Sequence, residues 1–298
     1  MVDKRAFRQY NEGRGEKDMK AIFLYITGTG NTRRVCEALA EAWRARGHVA
    51  DCLELRGDAP ISDFSAYDRI VFGYPVHAFN APAPALNALR RFPQADGQKV
   101  WFVRTSGEPL ALNDAAIVTP RRLLRKRGYR LAGDFYYVMP YNIIFRHSDG
   151  MAARMWKIVL SRVAGDAAAM EAGTGSIPRV GPVKRLVSFV LRTEHPAMPW
   201  MGKGFRTAEN CIGCGTCAAH CPAGNIRMDG GTPRFGGQCF GCMACAFACP
   251  KDAVRIGILN GWRVNGGYDF TAPPATDEAV CRYCCRAYLR YFHRWENK

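Results

Sequence analysis

The sequence predicts an α/β chain: a doubly wound parallel sheet, then helices, then a small α+β lobe. Three observations carry this. Apolar runs of strand length alternate with helical stretches from Lys20 to Met139, the pattern of a parallel sheet covered on both faces. A Gly/Thr-rich turn, Thr27-Gly28-Thr29-Gly30-Asn31-Thr32, joins the first strand to the first helix. Eight cysteines then fall in two runs of identical spacing.

Residues 21–26 form the first predicted strand, and a helix follows over 32–46 with Gly47 as its stop. Strands are expected at 49–55, 69–73, 100–104 and 133–139, with helices at 84–91 and 115–127. On the last helix, Arg121, Arg122, Arg125, Lys126 and Arg127 read as a solvated face, with Leu123 and Leu124 turned inward. Cys36 and Cys52 read as buried small apolar residues.

The turn after the first strand carries chemistry. Unpaired N–H groups and the dipole at a helix N-terminus favour a phosphate. Hydroxyls of Thr27, Thr29 and Thr32 add donors, and Gly28 and Gly30 permit close approach. The turn is neither G-x-x-x-x-G-K-[ST] nor G-x-G-x-x-G, which argues against a nucleoside triphosphatase and a dinucleotide fold.

The cysteine runs are more specific. Cys211, Cys214, Cys217 and Cys221 read C-x2-C-x2-C-x3-C, and Cys239, Cys242, Cys245 and Cys249 repeat them at an offset of 28 residues, each run closed by a proline, Pro222 or Pro250. This is the spacing of the bacterial two-cluster iron–sulfur proteins, in which the fourth cysteine of each run ligates the other cluster. Cys211, Cys214, Cys217 and Cys249 are expected to hold one 4Fe–4S cluster. Cys239, Cys242, Cys245 and Cys221 are expected to hold the second. Zinc favours C-x2-C pairs on longer spacers, and a disulfide framework needs an oxidising compartment. The repeat extends beyond the ligands: Gly213 matches Gly241, Ile226 matches Val254, and Arg227 matches Arg255.

At 298 residues the chain has room for two domains, and its formal charge is +16, from 42 Lys and Arg against 26 Asp and Glu. Such basicity favours acidic partners, and a redox protein with an acidic docking surface is expected. No nucleic-acid-binding motif is present, so nucleic acid is not expected as a partner. No run approaches the ~18 consecutive apolar residues of a membrane-spanning helix. The charged N-terminus lacks a secretory apolar core, and a cytoplasmic location is expected.

The phosphate turn resembles that of the flavodoxins, [ST]-x-T-G-x-T, matched by Thr27, Thr29, Gly30 and Thr32. The resemblance implies a 2-1-3-4-5 sheet and FMN as cofactor. It places the phosphate on Thr27, Thr29, Gly30, Asn31 and Thr32. It places the flavin ring on two loops: Tyr74, Pro75, Val76, His77, Ala78, Phe79 and Asn80, and Thr105, Ser106 and Gly107. Tyr74, His77 and Phe79 are the candidates for stacking on the ring. Over residues 19–270 the chain is similar to the fused flavodoxin-like and two-cluster ferredoxin proteins of anaerobic bacteria and archaea. The GYPVHAFNAP loop, the MPYN segment and ILNGWRVNG share in that similarity.

The expected organisation is a disordered extension (1–18), a flavodoxin-like FMN domain (19–145), a helical connector (146–204), a two-cluster ferredoxin domain (205–258) and a C-terminal tail (259–298). In the connector, helices are expected at 151–164 and 183–191. Val183, Leu186, Val187, Val190 and Leu191 share one face of the second. That stripe is expected to pack on a neighbouring domain and brace the two lobes, rather than lie on a membrane. Cys281, Cys284, Cys285 and His293 are assigned no metal, because adjacent cysteines suit one tetrahedral ion poorly. The expected function is electron transfer between two 4Fe–4S clusters and FMN, with no catalytic residue assigned. The alternatives are a flavin-dependent oxidoreductase using His77 as proton donor, and an FMN-free iron–sulfur docking or sensor module.

Overall fold

The computed structural model describes residues 18–57, 59–61, 63–280 and 283–297. The predicted extension, except Asp18, and Cys281 lie outside the described residues. Five parallel strands, β1 (Lys20–Tyr25), β2 (Val49–Glu54), β3 (Arg69–Pro75), β4 (Lys99–Ser106) and β5 (Arg130–Val138), form one sheet in the order β2-β1-β3-β4-β5. Both faces are covered because central strands are apolar throughout: β1 and β3 expose no residue. Ile22, Leu24, Ile70, Phe72 and Phe102 pack under α2 (Ala83–Arg91) and α3 (Val118–Lys126). Phe23, Val71, Trp101 and Val103 meet Val35, Leu39 and Trp43 of α1 (Asn31–Arg44) on the other face.

Three expectations change here. The helix expected at 151–164 is α4 (Asp149–Glu171), and its Val159, Val163 and Met170 belong to the α1 side of the sheet. It therefore completes the α/β layer and does not serve as a connector. The helix expected at 115–127 is a 3-10 turn, Ala111–Ile117, followed by α3; Leu124 is buried and Leu123 packs against the core, as its spacing implied. Cys36 is buried, but Cys52 is exposed, on the edge strand β2.

Two short helices follow: α5 (Pro182–Leu191) and α6 (Glu194–Lys203). The cysteine lobe keeps its repeat in three dimensions. α7 (Thr216–Ala219) and α8 (Ala244–Phe247) occupy equivalent places, as do the strands starting at Ile226 and Val254. β6 (Arg206–Thr207) pairs with β9 (Val254–Arg255), and β7 (Ile226–Asp229) with β8 (Thr232–Phe235). The C-terminal segment ends in α9 (Cys285–Glu296), whose Tyr288, Tyr291 and Phe292 pack on Met151, Met155 and Ile158 of α4. Arg154 clamps it through Glu296 at 2.7 Å and Asp277 at 2.8 Å. Among the described residues no helix is long and apolar enough to cross a membrane.

Candidate cofactor sites

The phosphate turn is built from β1 outward. Gly30 adopts φ 92°, in the left-handed region that favours glycine, and caps α1; its N–H donates to Thr27 Oγ1 at 3.1 Å. The hydroxyls of Thr32 and Thr105 meet at 2.8 Å, fixing the turn to the end of β4. Asn31 Nδ2 donates to the Pro140 carbonyl at 2.8 Å, which holds the segment after β5 over the same opening.

Above this turn lies a cavity of about 400 Å3, within the ordinary range for a small-molecule cofactor site. Twelve of the residues expected at the FMN line it: Thr27, Thr29, Asn31, Thr32, Pro75, Val76, His77, Ala78, Phe79, Thr105, Ser106 and Gly107. Three do not. Gly30 faces a neighbouring polar cavity with Arg33 and Arg56. Tyr74 is buried in the sheet core beside Phe72 and Phe102, and its hydroxyl donates to the Ala116 carbonyl at 3.3 Å. It cannot stack on a ligand in the cavity, because β3 continues to Pro75 and alternation turns Tyr74 inward. Asn80 is buried under the loop, where its amide binds the Ala78 and Ser188 carbonyls, each at 2.9 Å.

Those Asn80 contacts stabilise a costly turn. Ala78 and Phe79 both have positive φ, 41° and 61°, in a turn closed by reciprocal bonds between His77 and Asn80. Non-glycine residues in this region store strain, which is concentrated here at the cavity wall. The other ring loop is fixed from below. Arg104, fully buried, forms a two-pronged pair with Asp134 at 2.5 and 2.6 Å and donates to the Asn113 carbonyl at 2.5 Å. Asn113 in turn donates to Ser106 Oγ at 3.1 Å and to the Glu108 carbonyl at 2.9 Å.

Several lining residues were not singled out from the sequence. Glu108, Met139, Pro140, Tyr141 and Asn142 come from the loop after β4 and from the MPYN segment, the latter noted only as a point of similarity. Tyr141 donates to the Glu108 carboxylate, and its ring lies where a side chain on Gly107 would stand. Burial pushes the Glu108 carboxyl up, partly offset by the hydrogen bonds from Tyr141 and Asn113. Glu194 and Met198 enter from α6, and Gly241 and Met243 from the cysteine lobe. Burial pushes Glu194 up to about 7, while burial and the neighbouring His195 hold His77 down to about 4. Their side chains approach at 3.7 Å.

The repeat cysteines gather in two groups. Cys211, Cys214, Cys217 and Cys249 line one small cavity, and Cys221, Cys239, Cys242 and Cys245 another. Among the described residues no three Cys, His, Asp or Glu side chains converge tightly enough for a single ion. Burial raises the Cys217, Cys239 and Cys242 thiols, and pushes Cys245 up to about 12 with added repulsion from Cys239 and Cys221. Such thiols ionise only against a metal's charge. Backbone N–H groups reach the sulfurs in the same register in both halves: Asn225 to Cys221 at 3.3 Å and Ala253 to Cys249 at 3.2 Å. At the C-terminus, His293 pairs with Asp277 at 2.7 Å.

The two kinds of site share a wall. Asn142 Nδ2 donates both to Thr29 Oγ1 at 3.3 Å and to the Cys242 carbonyl at 3.1 Å. A methyl group on Gly28 would stand 2.7 Å from Cys242 Cβ. The Phe240 ring, between Cys239 and Gly241, stacks on His77 with centroids 6.3 Å apart.

A parallel sheet ending in a phosphate-type turn thus stands beside two groups of four cysteines. Residues 22–106 match the flavodoxin domain family, and residues 210–253 match the 4Fe-4S dicluster domain family. The chain thus carries one segment similar to flavodoxin domains and one similar to 4Fe–4S dicluster domains, which supports an electron-transfer role. Among solved structures, the flavodoxin of Streptococcus pneumoniae TIGR4 aligns over 51% of this chain and 98% of its own, at 16% identity and a TM-score of 0.39. Oxidised flavodoxin 1 from Bacillus cereus aligns over 51% and 97%, at 13% identity and 0.39. The Flv1 flavodiiron core from Synechocystis sp. PCC6803 aligns over 56% and 40%, at 16% identity and 0.36. No curated protein matches the chain.

Proposed function

We propose that this protein passes single electrons between two 4Fe–4S clusters and an FMN. The observation that carries the reading is the shared wall, in which Asn142 binds the phosphate turn and the Cys242 carbonyl at once. Cys211, Cys214, Cys217 and Cys249 would hold one cluster, and Cys221, Cys239, Cys242 and Cys245 the other, nearer the FMN pocket. When bound, the clusters supply one-electron transfer and the flavin a station for one or two electrons.

The chain's own groups set the conditions. Thr27, Thr29, Asn31 and Thr32 present the α1 N-terminus to a phosphate. Val76, Ala78, Phe79, Met198 and Met243 supply an apolar, water-excluding lining for the ring. N–H donors from Asn225, Gly241 and Ala253 to sulfur favour the more negative, reduced state and raise the potential. The charge of +16 supports a redox partner with an acidic docking surface.

Anaerobic purification with iron and flavin quantification tests the reading. It should return about eight iron per chain and one FMN. Thr29→Ala with Thr32→Ala should lower FMN retention and leave iron unchanged. If FMN is absent even after reconstitution, the relay to a flavin is wrong.

One observation favours a second reading, a flavin-dependent oxidoreductase. A second cavity of about 280 Å3 shares His77, Glu194 and Met198 with the first. Reduction by ferredoxin-type donors with no small molecule consumed would decide for the carrier.

A further inference from the structure

The helix expected to brace the two lobes faces the other way. α5 is fastened to the sheet domain through polar groups. Lys184 Nζ meets Asp114 Oδ2 at 2.7 Å. Ser188 Oγ donates to Asn80 Oδ1 at 2.7 Å, and Asn80 Nδ2 donates to the Ser188 carbonyl at 2.9 Å. Lys184 and Ser188 are four residues apart, so they define one face of the helix. Its apolar side is held outward. Val183, Leu186, Phe189 and Val190 are 72, 63, 67 and 56% exposed. Val183, Leu186 and Val190 align at helical spacing with Phe189 beside them, giving a continuous stripe.

An exposed stripe of this kind marks an interaction surface, and its charge identifies the occupant. Residues 172–193 contain no Asp or Glu, but they contain Arg179, Lys184, Arg185 and Arg192. Arg179 and Arg185 are exposed, and α6 adds Trp200, the type of side chain that settles at headgroup level. A protein groove would need a matching shape. A bilayer surface needs only an apolar stripe, a cationic border and interfacial aromatics, all of which α5 and α6 provide.

We propose that the α5 stripe docks on an anionic phospholipid surface, with Leu186 and Phe189 entering the headgroup–acyl boundary and Arg179 and Arg185 meeting lipid phosphates. The inference goes beyond the electron relay and does not depend on its cofactors. It would also set the ring pocket near the bilayer, since Glu194 and Met198 of the adjoining α6 line that pocket.

Vesicle flotation of the full protein tests this, with phosphatidylcholine vesicles compared with vesicles also containing phosphatidylglycerol. Binding is expected only on the anionic vesicles and should weaken as salt is raised. Leu186→Ser combined with Phe189→Ser should lower it at least about tenfold, with iron content and visible spectrum matching the parent. Arg185→Glu should lower it as well. No binding to phosphatidylglycerol vesicles overturns the proposal, as does binding that the double variant retains. A concentration-dependent dimer, abolished by the double variant and without lipid binding, would assign the stripe to a second copy of the chain and overturn it equally.

Discussion

Met243 and Gly215 hold the same place in the cysteine repeat, and both have positive φ, 60° and 75°. Glycine adopts that conformation at no steric cost, whereas methionine is strained there. The strained copy is the one that lines the ring pocket. Tyr74 offers the converse case, an aromatic residue of the ring-loop sequence committed to the core. Tyr74→Phe should cost about 0.5–1.5 kcal/mol for the lost hydrogen bond and leave FMN content unchanged; reduced flavin content would return Tyr74 to the site. Glu194 makes a pH prediction. Burial raises its folded value from 4.5 to about 7, so its contribution to stability is complete below the unfolded value and is lost as pH rises through the folded one. The shift corresponds to about 3 kcal/mol. His77, held down to about 4, contributes the opposite slope over most of this range, so the test is a difference: the thermal midpoint of the parent relative to that of Glu194→Gln should fall between pH 4.5 and 7. The phosphate turn was legible because its chemistry is local: a strand, six small polar residues and a helix. Glu108 and Glu194 were not, because only tertiary packing brings an ordinary carboxylate to a cavity.

At the scale of elements, the cysteine lobe was the most legible part. A fixed ligand spacing dictates its own loops, and the repeat recurs in the placement of α7 and α8. Cys221→Ala tests the crossed pairing that follows from it. Iron should fall from about eight to about four per chain, with the cavity of Cys211, Cys214, Cys217 and Cys249 still loaded; full retention would refute the pairing. The helices between the lobes were harder to read. α6 carries Pro196 and Pro199 within Glu194–Lys203, and an interior proline ordinarily argues against a helix. Tertiary contact overrides that cost: Met198 is buried, and Gly202 lies where any Cβ would strike Cys239. For α5 the periodicity was right and its direction wrong. An apolar stripe states that a face is different, not which way it points, and here Ser188 and Lys184 supply the inner contacts.

Across the whole molecule the lobes meet through small, directional contacts. Gly28 against Cys242 is the tightest of those at the phosphate turn, so Gly28→Ala should cost about 1–3 kcal/mol in overpacking. It should lower the melting temperature with iron content unchanged, and an unaltered melting temperature would show that the contact is looser than 2.7 Å implies. The parallel sheet was legible from alternation, and its 2-1-3-4-5 order from the flavodoxin resemblance that the phosphate turn carries. The contact between lobes was not, because Asn142 and Gly28 carry no pattern that names Cys242 as their neighbour.

The two four-cysteine cavities each draw on both halves of the repeat, Cys249 completing the first and Cys221 the second. A chain emerging from the ribosome therefore presents no complete ligand set until Cys245 has been made, and the other set is completed only four residues later, by Cys249. Residues 22–106, by contrast, precede every one of those cysteines. Sheet formation can begin during synthesis, while iron loading must wait for nearly the entire lobe and then proceed at both cavities in quick succession. Truncation just before residue 245 should thus leave both ligand sets incomplete, whereas truncation between 245 and 249 should leave only the first one short.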